Sequence, residues 1–218
     1  TVSARGLTHR FGSLEVLGSL DLEIAEGEVL ALAGVSGSGK STLMRMIWGN
    51  YRVDGGSIRV GETEVAGAEP RRIIALRRAT LGYVSQFLRV VPRVPTLDVV
   101  ADPLLALGLP EAEARDRAAR MLTRLNIPDR LWPLSPTTFS GGEQQRVNIA
   151  RGFINAWPAM LLDEPTASLD AANRAVVLAL IAEAKARGAA ILGIFHDEAA
   201  RAEVCDRLVD VTGFSVLP

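Results

Sequence analysis

Val29-Leu30-Ala31-Leu32-Ala33-Gly34-Val35-Ser36-Gly37-Ser38-Gly39-Lys40-Ser41-Thr42 decides the fold. Its first five residues are a short apolar run of the kind that forms a buried strand. Gly34 to Ser41 fits G-x-x-x-x-G-K-[ST], and Ser41 to Trp48 has the composition of a helix. Strand, glycine-rich turn and helix, in that order, are the context this pattern requires. The backbone at Gly34, Ser36, Gly37, Ser38, Gly39 and Thr42 can cradle phosphates. Lys40 can reach the β and γ groups, and Ser41 can ligand Mg²⁺. The only lysines are Lys40 and Lys185, against many arginines. A compact ammonium fits among phosphates where a planar guanidinium would be too wide.

Outward from this stretch, the chain alternates strand and helix. Leu20, Leu22 and Ile24 alternate with Asp21 and Glu23, as in a half-buried strand, and Glu26-Gly27 is a turn. Asp54-Gly55-Gly56 is a turn before a strand at 57–60. A short basic helix is expected over 71–78 and a strand over 81–84. From Thr96 to Leu125 the pattern is helical and rich in alanine and leucine, broken near Gly108-Leu109-Pro110. Later segments read as a strand at 160–162, a helix at 171–187 and a strand at 189–195. This is α/β architecture with a parallel sheet.

Two further stretches carry chemistry. Met160-Leu161-Leu162-Asp163-Glu164-Pro165 places an acidic pair at the end of an apolar strand, on the sheet edge where α/β proteins bind ligands. Asp163 can join a Mg²⁺ shell, and Glu164 can act as general base on a water. Thr138-Phe139-Ser140-Gly141-Gly142-Glu143-Gln144-Gln145-Arg146 precedes an apolar rhythm at Val147, Ala150 and Ile154. Ser140 stands where that helix would begin, and the two glycines allow close backbone approach. A helix start with free amides and a hydroxyl suits an anion.

Ser140-Gly141-Gly142-Glu143 resembles the signature of ATP-binding cassette (ABC) ATPases, with Glu in the position usually held by Gln. The resemblance covers nearly the whole chain. It implies a P-loop NTPase with a mixed sheet core, an N-terminal antiparallel β subdomain and an inserted helical subdomain at about 96–155, all within one domain, 1–218. Gln86 matches the Q-loop, a contact for Mg²⁺ or water. Ala167-Ser168-Leu169-Asp170 matches the D-loop, whose Asp170 would face a dimer partner. His196, after an apolar strand, matches the switch histidine at the γ-phosphate. Phe11 fits the aromatic that stacks on adenine, although a packing phenylalanine would read the same way. The implied activity is hydrolysis of ATP with Mg²⁺, with the signature of one subunit closing over ATP held by another.

A narrower resemblance is to PhnL-type ATP-binding subunits of the bacterial carbon–phosphorus lyase system, which act in phosphonate breakdown. It rests on Ser85 to Arg93, Leu122 to Asn126, Thr138 to Phe153 and Gly193 to Ala199. It implies a homodimer, or a heterodimer with a PhnK-like ATPase, and soluble lyase core subunits as partners. In that setting Phe87-Leu88 and Val90-Val91-Pro92, beside Arg89 and Arg93, would dock a soluble partner. Ordinary core packing is the competing reading of those apolar residues. Three alternatives remain open: the ATPase of a membrane importer, a subunit of the enzyme joining phosphonate to the ribose of ATP, and a nucleotide-gated scaffold.

Composition narrows the partners. A net charge of −1 gives no reason to expect nucleic acid. The arginines between Arg115 and Arg130 interleave with Glu111, Glu113 and Asp116, as on a solvated helical face. The single cysteine, Cys205, excludes an internal disulfide framework and a cysteine-rich zinc site. No apolar run is long enough to cross a bilayer and no signal-peptide core is visible, so a cytoplasmic chain without direct membrane insertion is expected.

Overall fold

The structure, a computed structural model, describes residues 1–12, 14–90 and 92–212; of Phe11, Leu14 and Glu15 it describes the backbone alone. Two sheets are stacked in it. The first is antiparallel, in the order β2-β1-β4-β5, from β1 (Val2–Phe11), β2 (Leu14–Ile24), β4 (Gly55–Val60) and β5 (Thr63–Glu64). Its register pairs apolar residues on one face: Ala4 lies opposite Leu22 on one side and Ile58 on the other. The second is parallel, in the order β6-β7-β8-β3-β9. Its members are β3 (Val29–Ala33), β6 (Leu81–Val84), β7 (Ala159–Asp163), β8 (Ala190–Ile194) and β9 (Arg207–Asp210). The antiparallel sheet is the expected β subdomain, and in the core sheet every described pairing is parallel.

The parallel sheet is the middle layer, and strand alternation explains why. Leu30 and Leu32, Ala159 and Leu161, and Leu192 and Ile194 face a core shared with the antiparallel sheet and with α1 (Lys40–Ile47). Val29 and Ala31, Met160 and Leu162, and Ile191 face a second core. Successive side chains of a strand point to opposite faces, so a run apolar at every position must be covered twice. The second cover comes from α3 (Thr96–Ala106), α4 (Glu111–Arg124), α5 (Gly141–Phe153) and α6 (Ala171–Ala186). The helical break expected near Gly108 separates α3 from α4; Gly108 has φ 88°, and Pro110 precedes the next helix. Along α4, Glu111–Arg115, Glu113–Arg117 and Asp116–Arg120 pair four residues apart, so these arginines are matched by their own helix.

Two smaller helices, α2 (Pro70–Ala79) and α7 (Glu198–Val204), complete the fold. The alternating patterns locate most elements to within a residue or two. The first helix begins at Lys40, one residue earlier than its composition suggests.

Register then sets the site. Leu32 of β3 and Asp163 of β7 both stand opposite Ile194 of β8. Three strands therefore end at the same level, and the segments leaving them begin with Gly34, Glu164 and Phe195-His196. Among the described residues, no helix is long and apolar enough to cross a membrane.

Candidate functional site

The glycine-rich loop leaves β3 and turns into α1. Gly39 sits at the helix start with φ 91°, a left-handed conformation that favours glycine. A Cβ there would also press on Val16 and Leu17 at 3.1 Å. The loop folds around the Lys40 ammonium, whose Nζ donates to the carbonyls of Gly34 (2.7 Å) and Val35 (2.8 Å). Ser38, 1% exposed, lies 3.4 Å from the same ammonium. Ser41 and Thr42 lie in the first turn of α1, whose N–H groups have no acceptor inside the helix.

On the neighbouring strand end, Asp163 is 4% exposed and Glu164 follows in a left-handed conformation, φ 54°. That turn aims the Glu164 side chain toward His196: Oε1 is 2.8 Å from Nε2. The Glu164 N–H donates to Ile194 O at 3.0 Å, which fixes this corner to β8. Burial, and secondly the Glu164 charge, push the Asp163 carboxyl above the ordinary carboxylate range. The Tyr83 hydroxyl donates to Asp163 Oδ2 at 3.4 Å, and burial pushes the phenol up to about 12. Gln86 is exposed just beyond β6, and with Tyr83 and Asp163 it lines a cavity of about 830 Å³.

The signature segment starts α5. Ser140 is its N-cap, with a complete capping box: Glu143 N donates to Ser140 Oγ at 3.3 Å and Ser140 N to Glu143 Oε2 at 2.9 Å. Ser140 Oγ also donates to that carboxylate at 2.7 Å. The helix start is therefore less free than the glycine pair suggests, because Glu143 already occupies part of it. Its hydrogen bond with the Ser140 hydroxyl holds the Glu143 carboxyl below its usual range. A Cβ on Gly142 would stand 3.4 Å from Ser168 O, so signature and D-loop are neighbours within one chain.

Asp170 is exposed and caps α6, accepting from Asn173 N at 2.8 Å. Asn173, which no local pattern singles out, passes this contact on: its Oδ1 accepts from Asn126 Nδ2 at 3.0 Å. Arg174, one residue on, pairs with Asp197, the N-cap of α7 that follows His196. Tyr83, Gln145 and Asn148 reach Asp163, Glu164 and Ser85 from far along the chain, and Asn173 ties the Asp170 cap to Asn126.

Two expected residues fall outside the description. The Phe11 side chain is not among the described ones, and neither is Val91. In the rest of the expected docking patch, Leu88 and Val90 pack partly against the helical core, while Phe87 is 69% exposed. Core packing thus accounts for two of the apolar residues and leaves Phe87 to the surface.

The oxygen donors on these segments are of the kind that suits a hard divalent cation: the Ser41 hydroxyl, the Gln86 carboxamide and the adjacent Asp163 and Glu164 carboxyls. Among the described residues, no three His, Cys, Asp or Glu side chains are grouped to hold a metal. A cation here would complete its shell with phosphate oxygens and water, as Mg²⁺ commonly does.

A family model described as ABC transporter matches residues 17–167. The lipoprotein-releasing system ATP-binding protein LolD of Porphyromonas gingivalis is 37% identical over 198 residues, covering 90% of each chain. LolD of Bacteroides fragilis is 35% identical over 217 residues, covering 99% of this chain and 100% of its own. The macrolide export ATP-binding/permease protein MacB of Nitrosomonas europaea is 37% identical over 215 residues; the match covers 96% of this chain and 32% of that longer protein. Among solved structures, a dimeric ATP-binding cassette in a post-hydrolysis state with ADP and Pi has a TM-score of 0.88 at 27% identity, covering 96% and 94% of the two chains. These relatives give no support to the narrower likeness to carbon–phosphorus lyase subunits.

Proposed function

The chain belongs to the ABC transporter family of ATP-binding cassettes, and on that premise we propose that it is the ATPase subunit of a membrane transporter of the LolD or MacB kind. Cassettes of this family bind ATP with Mg²⁺ and hydrolyse it. The observation that carries the transporter reading is the end-to-end match to LolD, 99% of this chain against 100% of the relative. The exposed Phe87, beside a cavity that also reaches Asp163 and Gln86, supports it as a surface for a membrane partner.

In this reading, phosphate oxygens replace the Gly34 and Val35 carbonyls as partners of Lys40. Ser41 and Asp163, with Gln86, would hold Mg²⁺. The chemistry such a cation would supply is charge stabilisation during phosphoryl transfer. Glu164 takes the proton of the attacking water, His196 orients Glu164 and meets the γ-phosphate, and ADP and phosphate leave. Ser140 to Glu143 of a second cassette close the site, and Asp170 lies at the same junction. Catalysis is mostly positioning, since phosphoryl transfer needs little covalent help.

Purification from the native membrane, with partners identified, tests the transporter role. A co-purifying permease subunit that Phe87→Ala releases, with ATP binding retained, is the expected result. Recovery only with soluble enzymes, or adenine as the product from ATP and a phosphonate, would instead favour the carbon–phosphorus lyase role.

A further inference from the structure

Two carboxamides on α5 are buried where apolar side chains would pack: Gln145 is 6% exposed and Asn148 is 5% exposed, beside the fully buried Val147, Ile149 and Ala150. A buried amide is costly unless its hydrogen bonds are made. Here they are made to two different parts of the site. Asn148 Nδ2 donates to the carbonyl of Ser85, immediately before Gln86, and to Gln145 Oε1 at 3.4 Å. Gln145 Nε2 donates to the carbonyl of Glu164 at 3.3 Å. Ser85 Oγ in turn donates to Phe87 O at 2.8 Å, so the residues on both sides of Gln86 are tied.

We propose that Gln145 and Asn148 are positioning residues, a buried amide bridge that sets the Gln86 loop and the Glu164 corner relative to each other. Neither amide reaches the reacting atoms. The bridge acts through the backbone: Glu164 is in a left-handed conformation, and holding its carbonyl on one side fixes where its carboxylate points on the other. Residues spaced three apart share a helix face, so one face of α5 reads both loops. The same helix begins at Ser140, so a tilt of α5 as a second cassette closes would be felt at Gln86 and Glu164 together. A network of this kind strengthens as a unit and fails as a unit.

The inference rests on Glu164 being the base, and Glu164→Gln tests that separately. The bridge is tested by steady-state ATPase measurements with Mg²⁺ on the full chain and on Asn148→Leu and Gln145→Leu, which keep size and remove the amides. Turnover should fall roughly 10- to 100-fold, the scale of a small misplacement of reacting groups, with KM for ATP unchanged. The double variant should be no worse than the poorer single one, as for members of one network. Asn148→Asp preserves shape but donates only when protonated, so its turnover relative to the native chain should recover as pH falls. Native kcat in both Leu variants, or a raised KM at native kcat, would overturn the bridge. Should Asn148→Leu not fold, an Asn148→Asp pH profile parallel to the native one would do the same. If Glu164→Gln retains turnover, the base assignment fails instead.

Discussion

His196 Nε2 stands 2.8 Å from Glu164 Oε1, across the ends of two strands that are neighbours in the sheet. One carboxylate oxygen is thereby engaged, and in the proposed mechanism the other acts on water. Glu164→Gln should keep ATP affinity and lower turnover roughly 10²–10⁴-fold, the usual contribution of a general base. His196→Ala should reduce kcat and leave the fold intact, because the ring is 70% exposed. Single-turnover hydrolysis and equilibrium ATP binding, measured on the same samples, separate these effects.

Asp163 predicts a trade between stability and chemistry. Its carboxyl is almost fully buried beside a second carboxylate, and the only side-chain hydrogen bond described for it is the 3.4 Å contact from Tyr83. Asp163→Asn removes the buried charge and keeps an acceptor for Tyr83. Melting temperature should rise, by about 2–4 °C for each kcal/mol gained in a domain of this size. Mg²⁺-dependent turnover should fall roughly 10²–10³-fold, as when one electrostatic stabiliser is lost. A variant with lower melting temperature would refute the first half.

The capping box separates Ser140 from Glu143. Ser140→Ala removes the N-cap hydroxyl and should cost about 1 kcal/mol in urea denaturation. Glu143→Gln leaves an acceptor for both Ser140 groups and should change stability by only a few tenths of a kcal/mol. It also removes a negative charge from the helix start, so ATP-driven dimerisation should tighten, measurable by size exclusion in the Glu164→Gln background.

Low pH should loosen the edge strand β9. Glu28 accepts from Arg207 Nε at 2.8 Å and from Ala25 N, while Asp206 accepts from Val29 N at 2.9 Å and pairs with Lys185. Burial pushes both carboxyls up, but the Arg207 and Lys185 partners and the backbone N–H groups outweigh it, so both titrate below their ordinary values. A carboxyl lowered on folding adds stability that is fully present above its unfolded value and lost as pH falls through the folded one. Amide exchange in β9 should therefore accelerate below about pH 4, and Asp206→Asn should flatten that dependence.

Most strands and helices were legible because their signals are local. Apolar runs, the turn at Asp54-Gly55-Gly56 and the break at Gly108 each lie within a few residues of the element they define. The strand–loop–helix at Val29 to Ile47 and the acidic pair at Asp163-Glu164 were legible for the same reason. Gln145, Asn148 and Asn173 were not. Their polarity reads as surface until the fold buries them, and their partners are as far as 63 residues away in the chain. The role of Glu143 was half legible: its spacing from Ser140 is that of a capping box, but the glycine pair drew the reading toward an open anion site. Leu88 and Val90 fit a partner surface on local sequence alone, because the helical core that takes them up lies far along the sequence.

The φ of 54° at Glu164 says something about what preserves that residue. A side-chain-bearing residue in this region costs of order 1–3 kcal/mol, and glycine would occupy it at ease. On grounds of folding alone, position 164 is thus better served by almost no side chain at all. Under the proposed mechanism, turnover is what argues for a carboxylate there. A descendant of this chain that no longer needed to hydrolyse ATP would lose Glu164 early, and would be the sturdier for it.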